Sequence, residues 1–113
     1  DGQLVCWGRN EYGQCAVPKN LGPVQAVAAG RYHTCAIQAD EQLVCFGGDS
    51  CGQCAVPESM GPVLAVAAGA YHTCAIQTDG RLVCFGDNDL GQCVVPENSG
   101  ILAYVLAVAD KCR

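Results

Sequence analysis

The chain has 113 residues, enough for one small domain, and half of them are apolar. Its 11 acidic and 6 basic residues give a net charge of −5, which argues against a nucleic-acid partner because phosphates bind basic surfaces. No stretch approaches the roughly 20 apolar residues of a membrane-spanning helix, so direct membrane insertion is not expected.

The sequence repeats itself with a period of 39 residues. The segments Gln14–Gly47 and Gln53–Gly86 are identical at 26 of 34 positions. A fixed period of this length predicts a stacked array of small units, none of which buries its apolar face alone. We therefore predict a single repeat domain over residues 1–113. Its three units cover about residues 1–21, 22–60 and 61–113.

The middle unit contains three predicted strands. The apolar run Val24–Ala29 is the first, and Gly30 ends it. Tyr32–Gln38 is the second and Gln42–Phe46 the third, and both are rich in residues that favour strands. No segment has a sustained helical period, so an all-β fold is predicted.

A three-residue loop, residues 39–41, sets the register of the second and third strands. Such a hairpin loop prefers glycine at its third, left-handed position. Gly80 and Gly2 meet this preference in the neighbouring units, whereas Glu41 departs from it and is expected to be strained.

The same register pairs cysteines across the hairpin. Cys35 faces Cys45, and Cys74 faces Cys84 in the next unit. Opposed residues of an antiparallel pair can reach the Cα separation that a disulfide needs. With ten cysteines in the chain, we predict both disulfides and an oxidising compartment: extracellular space, periplasm or an organelle lumen. Buried free thiols are the alternative.

The spacing of the other six cysteines constrains them less. We predict that Cys6 pairs with Cys112, in the same chain or a neighbour, because Cys112 falls within one residue of the position at which the period places a strand-two cysteine. A Cys6–Cys15 pair stays open, since the same nine-residue spacing recurs in the other units. No pairing is predicted for Cys15, Cys51, Cys54 and Cys93.

No constellation in the sequence points to an enzyme. His33 and His72 each precede a cysteine by two residues, but they recur with the repeat, so we interpret them as packing residues. Only Cys51 and Cys54 have close metal-type spacing, and the acidic run 87–89 lacks the ligand register of a calcium loop. We predict no catalytic residue, no metal and no cofactor.

The order of the motifs resembles a known repeat. Ala-Gly-x-Tyr-His-Thr-Cys-Ala-Ile, followed by Asp-Gly-x-Leu-Val-Cys-Phe-Gly-x-Asn-x-x-Gly-Gln, is similar to the repeat of the regulator of chromosome condensation family. The short period resembles that family's short-repeat relatives, which include a secreted bacterial β-lactamase inhibitor with three-stranded blades. The resemblance implies a β-propeller in which each unit is one blade. Three units would make an incomplete or atypically closed ring.

The units differ most in the loop that follows their third strand, and loops of this kind tend to carry function. Aromatic and charged residues at such positions are typical of protein interfaces. The candidate partner-binding residues are Trp7, Arg9, Glu11, Tyr12, Phe46, Asp49, Phe85, Asp87, Asp89 and Leu90.

Together these observations predict a non-catalytic protein-interaction module. We expect an accessory or peripheral subunit of a larger assembly, on the lumenal or extracellular side of a membrane, because an open arc leaves sheet edges to be covered. A secreted soluble inhibitor or ligand-binding protein is the alternative. The net charge and the small number of units argue against nucleotide exchange or chromatin binding.

Overall fold

The structure is a computed structural model that describes residues 2–88. Its strands are β1 (Val24–Ala29), β2 (His33–Gln38), β3 (Leu43–Gly47), β4 (Val63–Ala68), β5 (His72–Gln77) and β6 (Leu82–Gly86). They form two antiparallel sheets, in the orders β1-β2-β3 and β4-β5-β6. Two three-stranded units and an all-β fold are therefore confirmed. Within residues 2–88 no helix has the length and hydrophobicity to cross a membrane.

The hairpin register follows the prediction. Cys35 lies opposite Cys45, and the backbone N–H of Gln38 donates to the carbonyl of Gln42 at 2.9 Å, which closes the loop. Glu41 has a φ of 71°, and Gly80 has a φ of 90° at the same place in the next unit. Because a side chain is disfavoured in this region, the loop of the first sheet holds strain that the second avoids.

The first unit differs from the other two. Residues 4–8 correspond in the repeat to β3 and β6, yet they form no strand. A strand needs a neighbour to pair with, and none of the described strands pairs with these residues. The link to the next unit is nevertheless the same: Val24 N–H donates to the carbonyl of Gly2 at 2.8 Å, as Val63 N–H donates to that of Glu41 at 2.9 Å.

The two sheets pack face to face, with β4 lying across β2 and β1. Three of the core side chains, Cys35, Ile37 and Val63, are fully buried. The rest of the core is also small, and includes Leu43, Ala68 and Ala75. Short side chains let neighbouring sheets approach closely, which suits a unit repeated at a fixed spacing.

A buried polar chain joins the sheets as well. His33 Nε2 lies 2.8 Å from Thr73 Oγ1, and this hydroxyl donates to the carbonyl of Gln53 at 2.7 Å. A hydroxyl has one proton, so the imidazole must be the donor in the first bond. The ring also fills the space above Gly30, where a Cβ would lie 2.6 Å from Cε1 of His33. This geometry gives the repeated histidine a role in joining units.

Candidate functional site

Three tyrosine rings, one from each unit, lie side by side at one end of the sheets. The rings of Tyr32 and Tyr71 stack with centroids 5.0 Å apart and an interplanar angle of 29°. Tyr12 meets Tyr32 edge to face, at 5.2 Å and 83°. Tyr12 and Tyr71 are 52% and 39% exposed, which is unusual for aromatic side chains that already pack on one another.

A cavity of about 310 Å³ opens between these rings and the loop after β3. We call it the tyrosine cavity; it is lined by Tyr12, Tyr32 and Tyr71 and by Gly48, Asp49, Ser50 and Gln53. The backbone holds this loop against the rings, because the N–H of Gly48 donates to the carbonyl of Tyr32 at 2.6 Å. The N–H of Asp87 makes the same bond to the carbonyl of Tyr71 at 2.8 Å.

Two side chains fix the shape of the loop. Oδ1 of Asp49 accepts the backbone N–H of Cys54 at 2.8 Å, and Oε1 of Gln53 accepts that of Cys51 at 2.9 Å. The amide of Gln53 is therefore oriented, since only its oxygen can accept from a backbone N–H. Its Nε2 is buried in the wall of the tyrosine cavity and has no hydrogen-bond partner among the described residues.

The electrostatics of the tyrosine cavity are set by one carboxylate and the phenols. Among the residues that the structure describes, Asp49 is the only charged one in the lining. Interaction with the hydroxyl of Tyr32, followed by burial, raises the pKa of Tyr71 above its ordinary value. The guanidinium of Arg31 stands 5.3 Å from the centroid of the Tyr32 ring, so one cation already rests against this aromatic group.

The structure brings two of the predicted partner-binding residues, Tyr12 and Asp49, into one site. Trp7 and Arg9 line a different, shallower cavity of about 370 Å³, next to β1. Arg9 also forms an ion pair with Glu11 at 3.5 Å, with both side chains about two-thirds exposed. An exposed pair of this kind contributes little stability.

The other predicted contact residues lie elsewhere. Phe46 is only 8% exposed, and Phe85 packs partly buried against the core, so both are structural aromatics. Phe46 lies opposite Thr34 in the first sheet, and Phe85 lies opposite Thr73 in the second. Asp87 is half-buried and holds its loop to Tyr71 through the backbone. Asp89 and Leu90 lie outside the described residues.

Sequence reasoning missed Tyr32 and Tyr71, because the search for contact residues was confined to the loop after the third strand and the aromatics that flank it. A signal was present, however. A residue that recurs once per 39-residue unit must lie on the same face of every unit, so an exposed aromatic in each unit makes a row of rings. No cluster of three or more His, Cys, Asp or Glu residues is placed to hold a metal in the part of the chain that the structure describes.

The cysteines follow the predicted register, with different outcomes. Cys74 and Cys84 form a disulfide. Cys35 and Cys45 are separate thiols, with Cys45 Sγ donating to Cys35 Sγ at 2.8 Å, so their disulfide stays a prediction. This hydrogen bond lowers the pKa of the Cys35 thiol to about 6 and raises that of Cys45 above its usual range. The predicted partner of Cys6, Cys112, lies outside the described residues.

Solved structures of propellers are similar to this chain. The CRINKLY WD40 ectodomain of the Arabidopsis thaliana receptor kinase ACR4 is 26% identical with a TM-score of 0.66, over 88% of this chain and 34% of that one. The C-terminal domain of gp131 from bacteriophage phiKZ is 29% identical with a TM-score of 0.56, over 60% and 18%. None of these is a β-lactamase inhibitor, so that part of the resemblance stays a prediction.

A third similar structure is that of Kap60 bound to yeast RCC1 (Prp20). It is 19% identical with a TM-score of 0.68, over 83% of this chain and 30% of that one. At this identity the similarity supports the fold and says nothing about function. The chain thus spans between about a fifth and a third of the length of these structures. The comparisons support an all-β repeat fold of the RCC1 propeller type.

Sequence comparison identifies the repeat itself. Among curated proteins, none matches this chain. The family model described as the regulator of chromosome condensation (RCC1) repeat matches residues 24–53 and 63–92, which together make up more than half of the chain. The two matches begin at β1 and β4, and the first ends in the loop after β3. The chain therefore belongs to the regulator of chromosome condensation (RCC1) repeat family.

Proposed function

We propose that this chain is a non-catalytic module that binds a protein partner at the tyrosine cavity. The observation that carries the proposal is the row formed by Tyr12, Tyr32 and Tyr71, whose two outer rings are about half exposed. Tyrosine is enriched in protein interfaces because it offers a large contact area, has few rotatable bonds and carries a polar hydroxyl. The stacked rings hold one another in place before binding, so little entropy is lost on association.

Related propellers support a binding role. The yeast protein Prp20p binds Gsp1p and histones, and it has also been solved in complex with Kap60. We propose a protein partner for this chain as well, and no nucleic acid, since its net charge is −5 and a phosphate backbone requires a basic surface.

We further propose that the chain is an accessory subunit in an oxidising compartment, on the lumenal or extracellular side of a membrane assembly. The Cys74–Cys84 disulfide supports this, because such bonds persist outside the reducing cytosol. The similar chain of the receptor kinase ACR4 is an ectodomain, which is the same kind of environment. Docking would also cover sheet edges such as that of β1, most of which is exposed.

Sedimentation of the tagged full chain from its native source, without reductant, tests this proposal. We expect it to travel in an assembly much heavier than its own 11.7 kDa. Tyr71→Ala should release the chain from the assembly, because it removes half of the ring stack. Leu64→Ala is the control: it removes an apolar side chain that is 54% exposed and lies outside the tyrosine cavity, so the assembly should persist.

The second candidate is a soluble inhibitor or ligand-binding protein, which the partly enclosed shape of the tyrosine cavity favours. Sedimentation of the wild-type chain at its own mass, together with one-to-one binding of a soluble partner, would support this candidate over the accessory subunit. An assembly that is insensitive to Tyr71→Ala would place the binding surface elsewhere on the chain.

A further inference from the structure

We propose that the tyrosine cavity recognises an arginine on an extended segment of the protein partner. The inference rests on the proposed function and adds the chemistry of what is bound. It follows from three features that converge on the cavity: the aromatic wall, the Asp49 carboxylate and the unpaired amide of Gln53.

The aromatic wall suits a guanidinium. The stacked rings of Tyr32 and Tyr71 and the perpendicular ring of Tyr12 form two walls that meet at nearly a right angle. A planar guanidinium stacks on aromatic faces and is less strongly hydrated than an ammonium, so it is the cation that such a cleft prefers. The guanidinium of Arg31 already packs over the Tyr32 ring, 5.3 Å from its centroid, so a partner's guanidinium would stack on the more exposed rings of Tyr12 and Tyr71.

The charge of the cavity also requires a cation. Asp49 is exposed, and its Oδ1 accepts the N–H of Cys54, while no described residue pairs with Oδ2. Within residues 2–88 no basic side chain lines the cavity, although the guanidinium of Arg31 packs on the Tyr32 ring beside it. An anionic ligand would be repelled here, and an apolar side chain would bury the carboxylate without a partner, which is costly.

The repeat indicates that the charge of Asp49 is not needed for folding. The equivalent residue of the first unit is Asn10, whose Oδ1 accepts the N–H of Cys15 at 2.8 Å, the same bond that Asp49 makes. In the next unit the equivalent residue is Asn88. An asparagine therefore shapes this loop as well as an aspartate does, and the negative charge is available for recognition.

Gln53 indicates that the ligand is a peptide segment. Its Nε2 is fully buried and lacks an acceptor within residues 2–88, although its Oε1 is bonded to Cys51. A buried donor without a partner is costly, and because Nε2 exposes no surface to the cavity, a bound carbonyl oxygen would satisfy it only after the amide turns towards the ligand. A backbone carbonyl next to an arginine supplies both the acceptor and the cation, whereas an isolated cation supplies only one of them.

Selection of peptides on the full chain tests the inference. Random 12-residue peptides displayed on phage are panned on the immobilised, disulfide-intact protein, and the most enriched peptide is synthesised with its arginine, with citrulline and with lysine in that place. Fluorescence anisotropy then measures each affinity. We expect the enriched peptides to share an arginine, and we expect citrulline, which keeps the shape and loses the charge, to weaken binding about 10-fold.

Two variants complete a double-mutant cycle. Asp49→Asn should weaken binding of the arginine peptide about 10-fold. It should leave binding of the citrulline peptide nearly unchanged, because that peptide has no charge pair with residue 49 to lose. Asp79→Asn is the matched control, since this residue is also exposed and its Oδ1 caps a loop by accepting the N–H of Arg81 at 3.0 Å. It should change neither affinity.

The outcomes separate the inference from the proposed function. Enriched peptides without arginine, or binding that Asp49→Asn leaves unchanged, would overturn the arginine inference; if Tyr71→Ala still weakened that binding, the docking surface would stand. Failure to enrich any peptide would also overturn the inference, while sedimentation of the native assembly judges the proposed function independently. Peptides bound with equal affinity by wild type and by Tyr71→Ala would count against both.

Discussion

Thr73 accepts a hydrogen bond from His33 across the boundary between the two sheets, with 2.8 Å between Oγ1 and Nε2. The same hydroxyl donates to the carbonyl of Gln53 at 2.7 Å. Adjacent units are therefore joined by directional bonds as well as by apolar contact, and a His–Thr motif that could be mistaken for catalytic machinery sets the orientation of one unit on the next.

Thr73→Val should destabilise the protein by about 3 kcal/mol, because it leaves two buried groups, the His33 N–H and the Gln53 carbonyl, without partners. Thr34→Val should cost only about 1 to 2 kcal/mol, since the described partner of Thr34 Oγ1 is a single carbonyl, that of Gln14. Urea denaturation followed by circular dichroism measures both. Thr73→Ser keeps the hydroxyl and should recover most of the lost stability. Equal effects of the two valine variants would show that the His33–Thr73 hydrogen bond contributes nothing.

Glu41→Gly should stabilise the protein by about 0.5 to 1 kcal/mol, because glycine adopts a φ of 71° without the steric cost that a side chain incurs. The carbonyl of residue 41 would still accept the N–H of Val63. Thermal denaturation checks this, with Glu41→Gln as a control for the lost charge. A lower melting temperature for the glycine variant would mean that the Glu41 side chain contributes more than its backbone strain costs.

Non-reducing peptide mapping of the protein from its native source should find the Cys74–Cys84 linkage and also the Cys35–Cys45 linkage, since both pairs are opposed in the same register. Replacing Cys74 and Cys84 together by alanine should lower the free energy of unfolding by about 2 to 3 kcal/mol, the value expected for closing so short a loop. Alkylated, unlinked Cys35 in the native protein would refute the first part of this prediction.

Tyr71 should ionise above the ordinary tyrosine pKa of about 10, because its interaction with Tyr32 favours the protonated phenol. A group whose pKa is raised on folding contributes stability below its unfolded pKa and loses that contribution as the pH rises through the folded value. The ring stack should therefore weaken above pH 10. The difference in tyrosinate absorbance between wild type and Tyr71→Phe isolates this ionisation; a midpoint below pH 10 would contradict it.

Much of each unit could be predicted from local sequence. The boundaries of β1 and β2 agree with the prediction to within one residue, because Gly30 interrupts the backbone pattern between them. The positive φ of Glu41 was expected from the turn type alone. Residues 4–8, which the period aligns with β3, form no strand, since a strand depends on a partner that its own sequence does not specify.

The candidate site was predicted only in part. Tyr12 and Asp49 were identified because they vary between units, and both line the tyrosine cavity. Phe46 was expected near the contact surface, but it is buried. In stacked sheets a neighbouring sheet can cover either face of a strand. The alternation of side chains between the two faces therefore does not predict which aromatic ring stays exposed.

The sequence by itself determined the repeat, the all-β units, the hairpin register and the opposed cysteines, because turn chemistry and a fixed period act over short distances along the chain. Only the tertiary structure decided that Tyr12, Tyr32 and Tyr71 form one row and that Gln53, with a buried and unpaired donor, lines the same cavity as Asp49. These residues come from different units, and the stacking of one sheet on the next, held by the His33–Thr73 bond, brings them together.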